Sequence, residues 1–478
     1  MIEMERGAAA ALSTPALPRH VHLVGIGGMH MSAIAQVLLS AGVQVSGSDL
    51  QETDLTHRLA ALGATVHRGH AAAHLGDAEL VVVTAAAKPD NPEVAEARRR
   101  GIPVISRAEM VARLTAGRTT IAVAGTHGKT TTSSLIAFLL ARAGRAPGYL
   151  LGGESLDLGG NAAAGSGPEI VVEADEYARA FLAYRPRLAV VTNIEPDHLD
   201  YYGSPETLTD AFRQFLRQVE PGGRIIASAD SAPLAALTTE RLPATVERYR
   251  VVPAVPPGGA GANGADWLAL DEGPDGSGGR SFVVLRWGQH VGRFTITRPG
   301  RHNVANALAA IAVGSALGLS AEVMRSALPH FRGARRRFER VGEARGVTVL
   351  DDYAHHPTEV RATLAAAREH FPGRRLVVLF QPHTYSRTQY LFEEFRTCFT
   401  EADALFILET YAARETPAAG MSAVELTRAI IAPPARYVDS IKAAVKSLKK
   451  AVRAGDVVFT MGAGDVNAAG PALLRALT

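Results

Sequence analysis

Cysteine is almost missing from this chain. Cys398 stands alone in 478 residues, so no intrachain disulfide can form and a reducing compartment suits the protein. Lysine is nearly as scarce, with six in all and none between Lys129 and Lys442. Across that interval no side-chain amine can serve as nucleophile or ligand. No stretch approaches the roughly 18 apolar residues of a membrane helix, which argues against membrane insertion. The first residues carry Glu3 and Glu5 and only a short alanine-rich run, the wrong pattern for a signal peptide. Positions 1 to about 18 read as a loose tail. Basic runs with interleaved aromatics are absent and the formal net charge is only +3, so nucleic acid is not an expected partner. These absences leave a soluble, cytoplasmic protein as the expectation.

What is present is globular: 47% apolar residues against 20% charged, in a chain long enough for about three domains. The chain is organised around Ile121 to Thr132, I-A-V-A-G-T-H-G-K-T-T-T. A short apolar strand runs into the turn Gly125-Thr126-His127-Gly128, and Lys129-Thr130-Thr131 opens a helix. Backbone N–H groups of such a loop face an anion, and the helix dipole adds partial positive charge. Lys129 can reach terminal phosphates and the Thr130 hydroxyl suits Mg²⁺. Val123 stands where the standard phosphate-loop pattern has its first glycine. The stretch reads as an ATP site; the plainer reading is an ordinary strand-to-helix turn.

A second glycine turn lies near the start. His20 to Gly28 reads as a strand entering a turn, with a helical pattern from Met31 to Leu39 and a further strand from Val43 to Asp49. Gly25 and Gly27 fit a dinucleotide fingerprint, and Asp49 follows about twenty residues on, but His30 stands at the third glycine. A nucleotide diphosphate suits the turn as well as NAD, because such a loop recognises phosphate. The bland alternative is that the glycines only let helix and strand pack closely. Strands at Leu80–Val83 and Pro103–Ile105 complete an α/β unit over 19–117. A second unit, 118–333, continues through the apolar runs Glu169–Val172 and Leu188–Val191, and the third, 334–478, has strands near Val347, Leu376, Ala404 and Val457. The Gly/Pro-rich tract Pro256–Gly279 reads as exposed loops around a polar hairpin that carries no chemistry.

Ligands of open parallel sheets bind beyond the carboxyl ends of the strands, so the residues there are the candidates. Glu173 and Asp175 follow one strand and alternate onto one face, placed to hold Mg²⁺. Thr192 to Asp200 follows another, with Glu195, Asp197, His198 and Asp200 close together; His198 is a candidate ligand of a second Mg²⁺, or a structural histidine. In the third unit, Asp351-Asp352-Tyr353-Ala354-His355-His356 and Gln381-Pro382-His383-Thr384-Tyr385-Ser386-Arg387 follow two strands. Arg387 among hydroxyls can take a carboxylate bidentately, or these loops only cap their strands. Met461 to Asp465 is a further polar loop, or a tight turn before the last helix.

With these motifs in hand, the chain resembles the Mur ligase family over nearly its whole length. The resemblance rests on V-G-I-G-G, A-G-T-H-G-K-T-T-T, E-A-D-E, T-N-I-E-P-D-H-L-D, H-N-V-A-N-A-L-A-A, R-R-R-F, D-D-Y-A-H-H-P-T-E and F-Q-P-H-T-Y-S-R-T, in that order. It implies an α/β protein of three domains: a Rossmann-like UDP-binding domain, a central ATPase-type domain with a mostly parallel sheet, and a Rossmann-like C-terminal domain. The implied activity joins L-alanine to the lactyl carboxylate of UDP-N-acetylmuramate, with ATP and Mg²⁺, through an acyl phosphate. By this likeness Gly125, Thr126, His127, Gly128, Lys129, Thr130 and Thr131 hold ATP phosphates, while His302, Asn303, Asn306 and Arg337 lie near adenine or phosphates and Asp352 faces the ribose. Thr130, Glu173 and His198 belong to the metals. Tyr353, His355, His383 and Arg387 surround the amino acid, and Gly25, Gly27, Gly28, His30, Ser48 and Asp49 hold the UDP-sugar. Lys129, Glu173, His198, His355 and Arg387 are the catalytic set.

Two positions depart from the family pattern: His30, commonly a smaller residue, and Tyr177-Ala178, commonly serine and aspartate. The lysine gap matters here, because several relatives carry a carbamylated lysine shortly after the D-H-x-D motif and this chain cannot. Two other readings stand beside the alanine ligase: a recycling ligase that adds a tripeptide to the same UDP-sugar, and a non-catalytic ATP-binding switch. A monomer or weak homodimer is expected, with closure by bending near Leu114 and Gly333.

Overall fold

The apolar runs become the inner strands of three sheets, buried along their whole length because helices cover both faces. The computed structural model describes residues 17–85, 87, 88, 90–253, 264–276, 278–413, 415–417 and 420–478. The expected loose tail lies almost entirely outside them; Leu17, at its end, packs on the first core.

The first sheet has five parallel strands, β1 (His20–Val24), β2 (Gln44–Asp49), β3 (Thr65–Arg68), β4 (Leu80–Val83) and β5 (Val104–Ser106), in the order β3-β2-β1-β4-β5. The chain leaves β1 toward β2 on one side and later places β4 on the other. The glycine turn at Gly25 therefore sits at a topological switch point, where open sheets bind ligands.

The second sheet repeats this device on a larger scale. Its strands are β6 (Thr119–Ala124), β7 (Gly148–Ser155), β8 (Gly160–Ala163), β9 (Glu169–Glu173), β10 (Leu188–Val191), β11 (Arg224–Ser228), β12 (Thr245–Val252), β13 (Trp267–Pro274), β14 (Arg280–Arg286) and β15 (Gln289–Ile296). Strand β6 lies between β10 and β9 in parallel register, and only the edges, β14, β15 and β8, are antiparallel. The phosphate-loop candidate leaves this switch point. The Gly/Pro-rich tract is a correction: Trp267, Leu268 and Ala269 are buried in β13, which pairs parallel with β12, so its second half extends the sheet. Residues 254–263 and 277 lie outside the described residues.

The third sheet runs β16-β17-β21-β18-β19-β20, from β16 (Glu339–Ala344), β17 (Val347–Asp352), β18 (Leu376–Phe380), β19 (Ala404–Leu408), β20 (Ala435–Val438) and β21 (Val457–Met461). Inserting β21 between β17 and β18 brings the loops after all three strands together at one end.

The units are joined by different forces. One apolar cluster passes from the first unit into the second, and the helix Met29–Ser40 lies on β7 and β8, where Asn161 Nδ2 donates to the Met29 carbonyl at 2.8 Å. The third unit has separate cores on the two faces of its sheet. It meets the second through polar contacts: Arg387 with Asp197 at 2.9 Å, Thr358 Oγ1 to Glu195 Oε2 at 2.6 Å, and Arg280 with Glu369. Burial of apolar area resists separation more than such polar seams do. The expected bend near Leu114 falls inside the helix Arg107–Thr115, beside the shared core, whereas Gly333 follows the last helical turn of the second unit and has φ of 95°. Among the described residues no helix is long and apolar enough to cross a membrane.

Candidate active site

The phosphate loop is held in an unusual shape. Gly125 has φ of +129°, and a Cβ there would stand 2.1 Å from Thr192 Oγ1. Gly128, at φ +81°, precedes the helix Lys129–Arg142, and a Cβ there would stand 2.7 Å from Asn306 Oδ1. No side chain caps this helix, so its first N–H groups remain for an anion.

Lys129 Nζ bends back to donate to the carbonyls of Gly125 at 2.5 Å and Thr126 at 3.1 Å. It also donates to both carboxylate oxygens of Glu176, at 2.9 and 2.8 Å. Burial pulls its pKa down, but the carboxylates of Glu176, Asp175 and Glu173 outweigh burial and the ammonium is held charged. Thr130 Oγ1 donates to Glu173 Oε1 at 3.1 Å, and the Gly152 N–H donates to Glu173 Oε2 at 2.8 Å. This corner presents hydroxyl and carboxylate oxygens side by side, the donor set a hard cation such as Mg²⁺ takes. His198 sits in a left-handed conformation, φ 53°, with Nε2 4.0 Å from Glu176 and 3.8 Å from Asp197. The ring of Tyr177, where the family pattern has serine, lies 5.1 Å from the His198 ring and helps fix it.

A cavity of about 610 Å³ opens from this corner. Lys129, Thr130, Glu173 and His198 line it from the second unit, Tyr353, His355, His383 and Arg387 from the third, and His30 from the first. His30 has its Nε2 shielded without a hydrogen-bond partner, and burial followed by the nearby Arg107 lowers its pKa. Burial pushes His355 down to about 3 and His383 to about 4, so both rings are neutral at pH 7. The guanidinium expected to be free for a carboxylate is already taken: Arg387 Nε donates to Asp197 Oδ1 at 2.9 Å and its pair is buried.

A second cavity of about 190 Å³ adjoins the first across Gly128 and Arg337. His127, Thr131, His302, Asn303, Asn306 and Asp352 line it. Asp352 accepts N–H bonds from Phe338 at 2.7 Å and Ala354 at 2.8 Å, yet burial raises its pKa to about 6.

Gly25, Gly27 and Gly28 lie outside both cavities, whereas Met29 and His30 just after them line the larger one. The Gly27 N–H donates to Asp49 Oδ2 at 2.9 Å, so Asp49 braces the turn. Ser48 corrects an expectation: its hydroxyl is buried and donates to Glu93 Oε2 at 2.6 Å, because strand alternation turns it to the inner face with Ser46. What Ser48 offers the turn is its carbonyl, which accepts from Gly25 at 2.8 Å and Ile26 at 3.0 Å.

Several residues at this site were not singled out from the sequence. Glu176 ends the E-A-D-E run and Glu359 ends D-D-Y-A-H-H-P-T-E, so their motifs were visible while their partners were not. Arg107, which pairs with Asp175 at 3.0 Å, carries no local signal at all. Its role exists only because the first and second units pack together.

Comparison with known proteins agrees with the arrangement. Three family models match in order: "Mur ligase family, catalytic domain" over 20–119, "Mur ligase middle domain" over 123–314 and "Mur ligase, glutamate ligase domain" over 336–464. The chain is 46% identical over 463 residues to a UDP-N-acetylmuramate–L-alanine ligase of Anaeromyxobacter sp. (strain Fw109-5), covering 96% of this chain and 98% of that one. A ligase of the same name from Roseiflexus castenholzii is 44% identical over 467 residues, with 96% and 97% covered. Among solved structures, the UDP-N-acetylmuramate–alanine ligase of Thermotoga maritima superposes with a TM-score of 0.80 at 28% identity, covering 96% and 98% of the two chains. A murein peptide ligase of Psychrobacter arcticus 273-4 superposes with 0.73 at 29% identity and the same coverage. Full-length identity, the order of the three matched domains and the shared fold place this chain in the Mur ligase family.

Proposed function

We propose that the protein joins L-alanine to the lactyl carboxylate of UDP-N-acetylmuramate at the expense of ATP, forming an amide bond in peptidoglycan precursor synthesis. The observation that carries this reading is the larger cavity, where a phosphate corner from the second unit faces polar side chains of the third. Near-complete coverage of relatives bearing that name supports it.

In this reading residues 19–117 take the UDP-sugar, 118–333 take ATP and 334–478 take the amino acid. The nucleoside fits the smaller cavity, with Asp352 toward the ribose and Asn303 and Asn306 near the base or phosphates. The terminal phosphate competes with Glu176 for Lys129, and Lys129 steadies charge as the phosphoryl group passes to the sugar's carboxylate. Thr130 and Glu173 would hold Mg²⁺, with His198 near a second ion; when bound, the metal neutralises phosphate charge. With ADP released, the alanine amine attacks the carbonyl carbon of the acyl phosphate, and the tetrahedral intermediate loses an amine proton and expels phosphate to give the amide. Neutral His355 and His383 act there as hydrogen-bond partners. Arg387 orients the amino acid's carboxylate once it is released from Asp197.

The test is phosphate release from ATP with Mg²⁺ and UDP-N-acetylmuramate, comparing L-alanine with the stem tripeptide. Turnover with L-alanine alone is expected. Turnover only with the tripeptide would make this a recycling ligase, a reading to which the murein peptide ligase structure gives some weight. Nucleotide binding without turnover on either substrate would leave the non-catalytic switch.

A further inference from the structure

Where the third unit meets the phosphate loop, three donor atoms from His127, Glu195 and His356 lie within 4.8 Å of one another. His127 belongs to the loop, Glu195 to the segment after β10, and His356 to the N-terminus of the third-unit helix Pro357–His370. His127 Nε2 is buried without a hydrogen-bond partner, 3.5 Å from Glu195 Oε2. His356 Nδ1 stands 4.0 Å from the same oxygen and accepts the Thr358 N–H at 3.3 Å, a helix-capping bond that an ion would replace. The outer contacts fix how each ligand is presented. Glu359 lies 3.3 Å from His127 Nδ1, the Pro196 carbonyl 3.3 Å from His356 Nε2, and Thr358 Oγ1 donates to Glu195 at 2.6 Å. Carboxylates and carbonyls behind metal-binding imidazoles do this in metal centres generally.

We propose that His127, Glu195 and His356 form a site for one borderline divalent ion of the Zn²⁺, Co²⁺ or Ni²⁺ class, separate from the hard-oxygen corner at Thr130 and Glu173. Two imidazole nitrogens with one carboxylate suit such ions and not Mg²⁺. A fourth position opens toward the smaller cavity, whose wall includes His127 and Glu195. Because one ligand belongs to the third unit, the ion ties that unit to the phosphate loop across a seam otherwise made of polar contacts.

The experiment is titration of metal-free full-length protein with ZnCl₂ by calorimetry, without nucleotide and with millimolar Mg²⁺ present. The variants are His356→Asn, which keeps a helix-capping residue, and Glu195→Gln, which keeps the fold if the first does not. One ion per chain is expected, with at least ~10-fold weaker binding in each folded variant. Unchanged affinity in both variants, loss of zinc binding to Mg²⁺, or no binding by the wild type would overturn the proposal. ATP binding measured on the same samples without zinc keeps this outcome distinct from the nucleotide reading.

Discussion

Two glycine turns leave the central strands of two parallel sheets, and both stand at switch points of strand order. The turn at Gly125–Gly128 leads to Lys129 and Thr130 and faces Glu173 and Glu176. The turn at Gly25–Gly28 leads into a helix with neither acidic residues in its first turn nor a capping side chain, and Asp49 binds its own backbone. The same backbone device thus occurs twice, but only the Gly125–Gly128 turn has a lysine ammonium, held on Glu176, and metal-suited oxygens beside it. Binding needs the backbone; phosphoryl transfer needs the charges placed around it.

The largest expected break in this comparison is Lys129→Ala, which removes the one feature the first turn never had. Amide-forming turnover should fall by about 10³-fold or more, with circular dichroism unchanged. Near-normal activity would mean the two turns do the same job. Glu173→Gln should raise the Mg²⁺ concentration for half-maximal rate by about 10- to 100-fold, measured by titrating the metal at saturating substrates, and should leave UDP-sugar affinity alone.

The first turn has its own weak point in Glu93, buried under it with Ser48 and His74 on its carboxylate. Burial alone would raise Glu93, but the nearby His22 and bonds from Ser48 and His74 outweigh it and bring it down to about 2. A depressed carboxyl stabilises the fold fully above its unfolded value near 4.5 and loses that contribution as pH falls toward 2. Urea unfolding of wild type against Glu93→Gln should therefore differ by about 2–3 kcal/mol at pH 7 and converge in acid. A difference at pH 2.5 as large as that at pH 7 would refute the assignment. The smallest effect is Gly27→Ala, whose Cβ would lie 2.9 Å from Asp49 Oδ2 and from Thr56 Cγ2. KM for the UDP-sugar should rise about tenfold with kcat held; a fall in kcat with KM unchanged would place the first turn in the chemistry.

Much of this molecule was legible in its residues. The apolar runs at Val21, Ile121, Val171, Val190, Leu376 and Val457 became inner strands because a strand covered on both faces has no polar side to show. The strand, glycine turn and helix around Lys129 were readable because glycine spacing and the start of an apolar helix are local signals. Strands such as β7 and β8, which are short or glycine-bearing, were not, since their pairing depends on neighbours distant in sequence. The second half of the Gly/Pro-rich tract misled for the same reason: its composition says loop, but Trp267 is buried where β13 pairs with β12.

By itself, then, the sequence determined the α/β class, the two glycine turns, the absence of any disulfide or lysine-based chemistry over most of the chain, and which loops carry polar groups. These follow from side-chain periodicity and local backbone needs. Only the tertiary structure decided that Lys129 rests on Glu176, that Arg387 is held by Asp197, that Ser48 faces inward, and that His356 reaches the loop of another unit. Electrostatic partners act through space at a few ångströms, and no pattern along the chain encodes which distant charges will be brought that close.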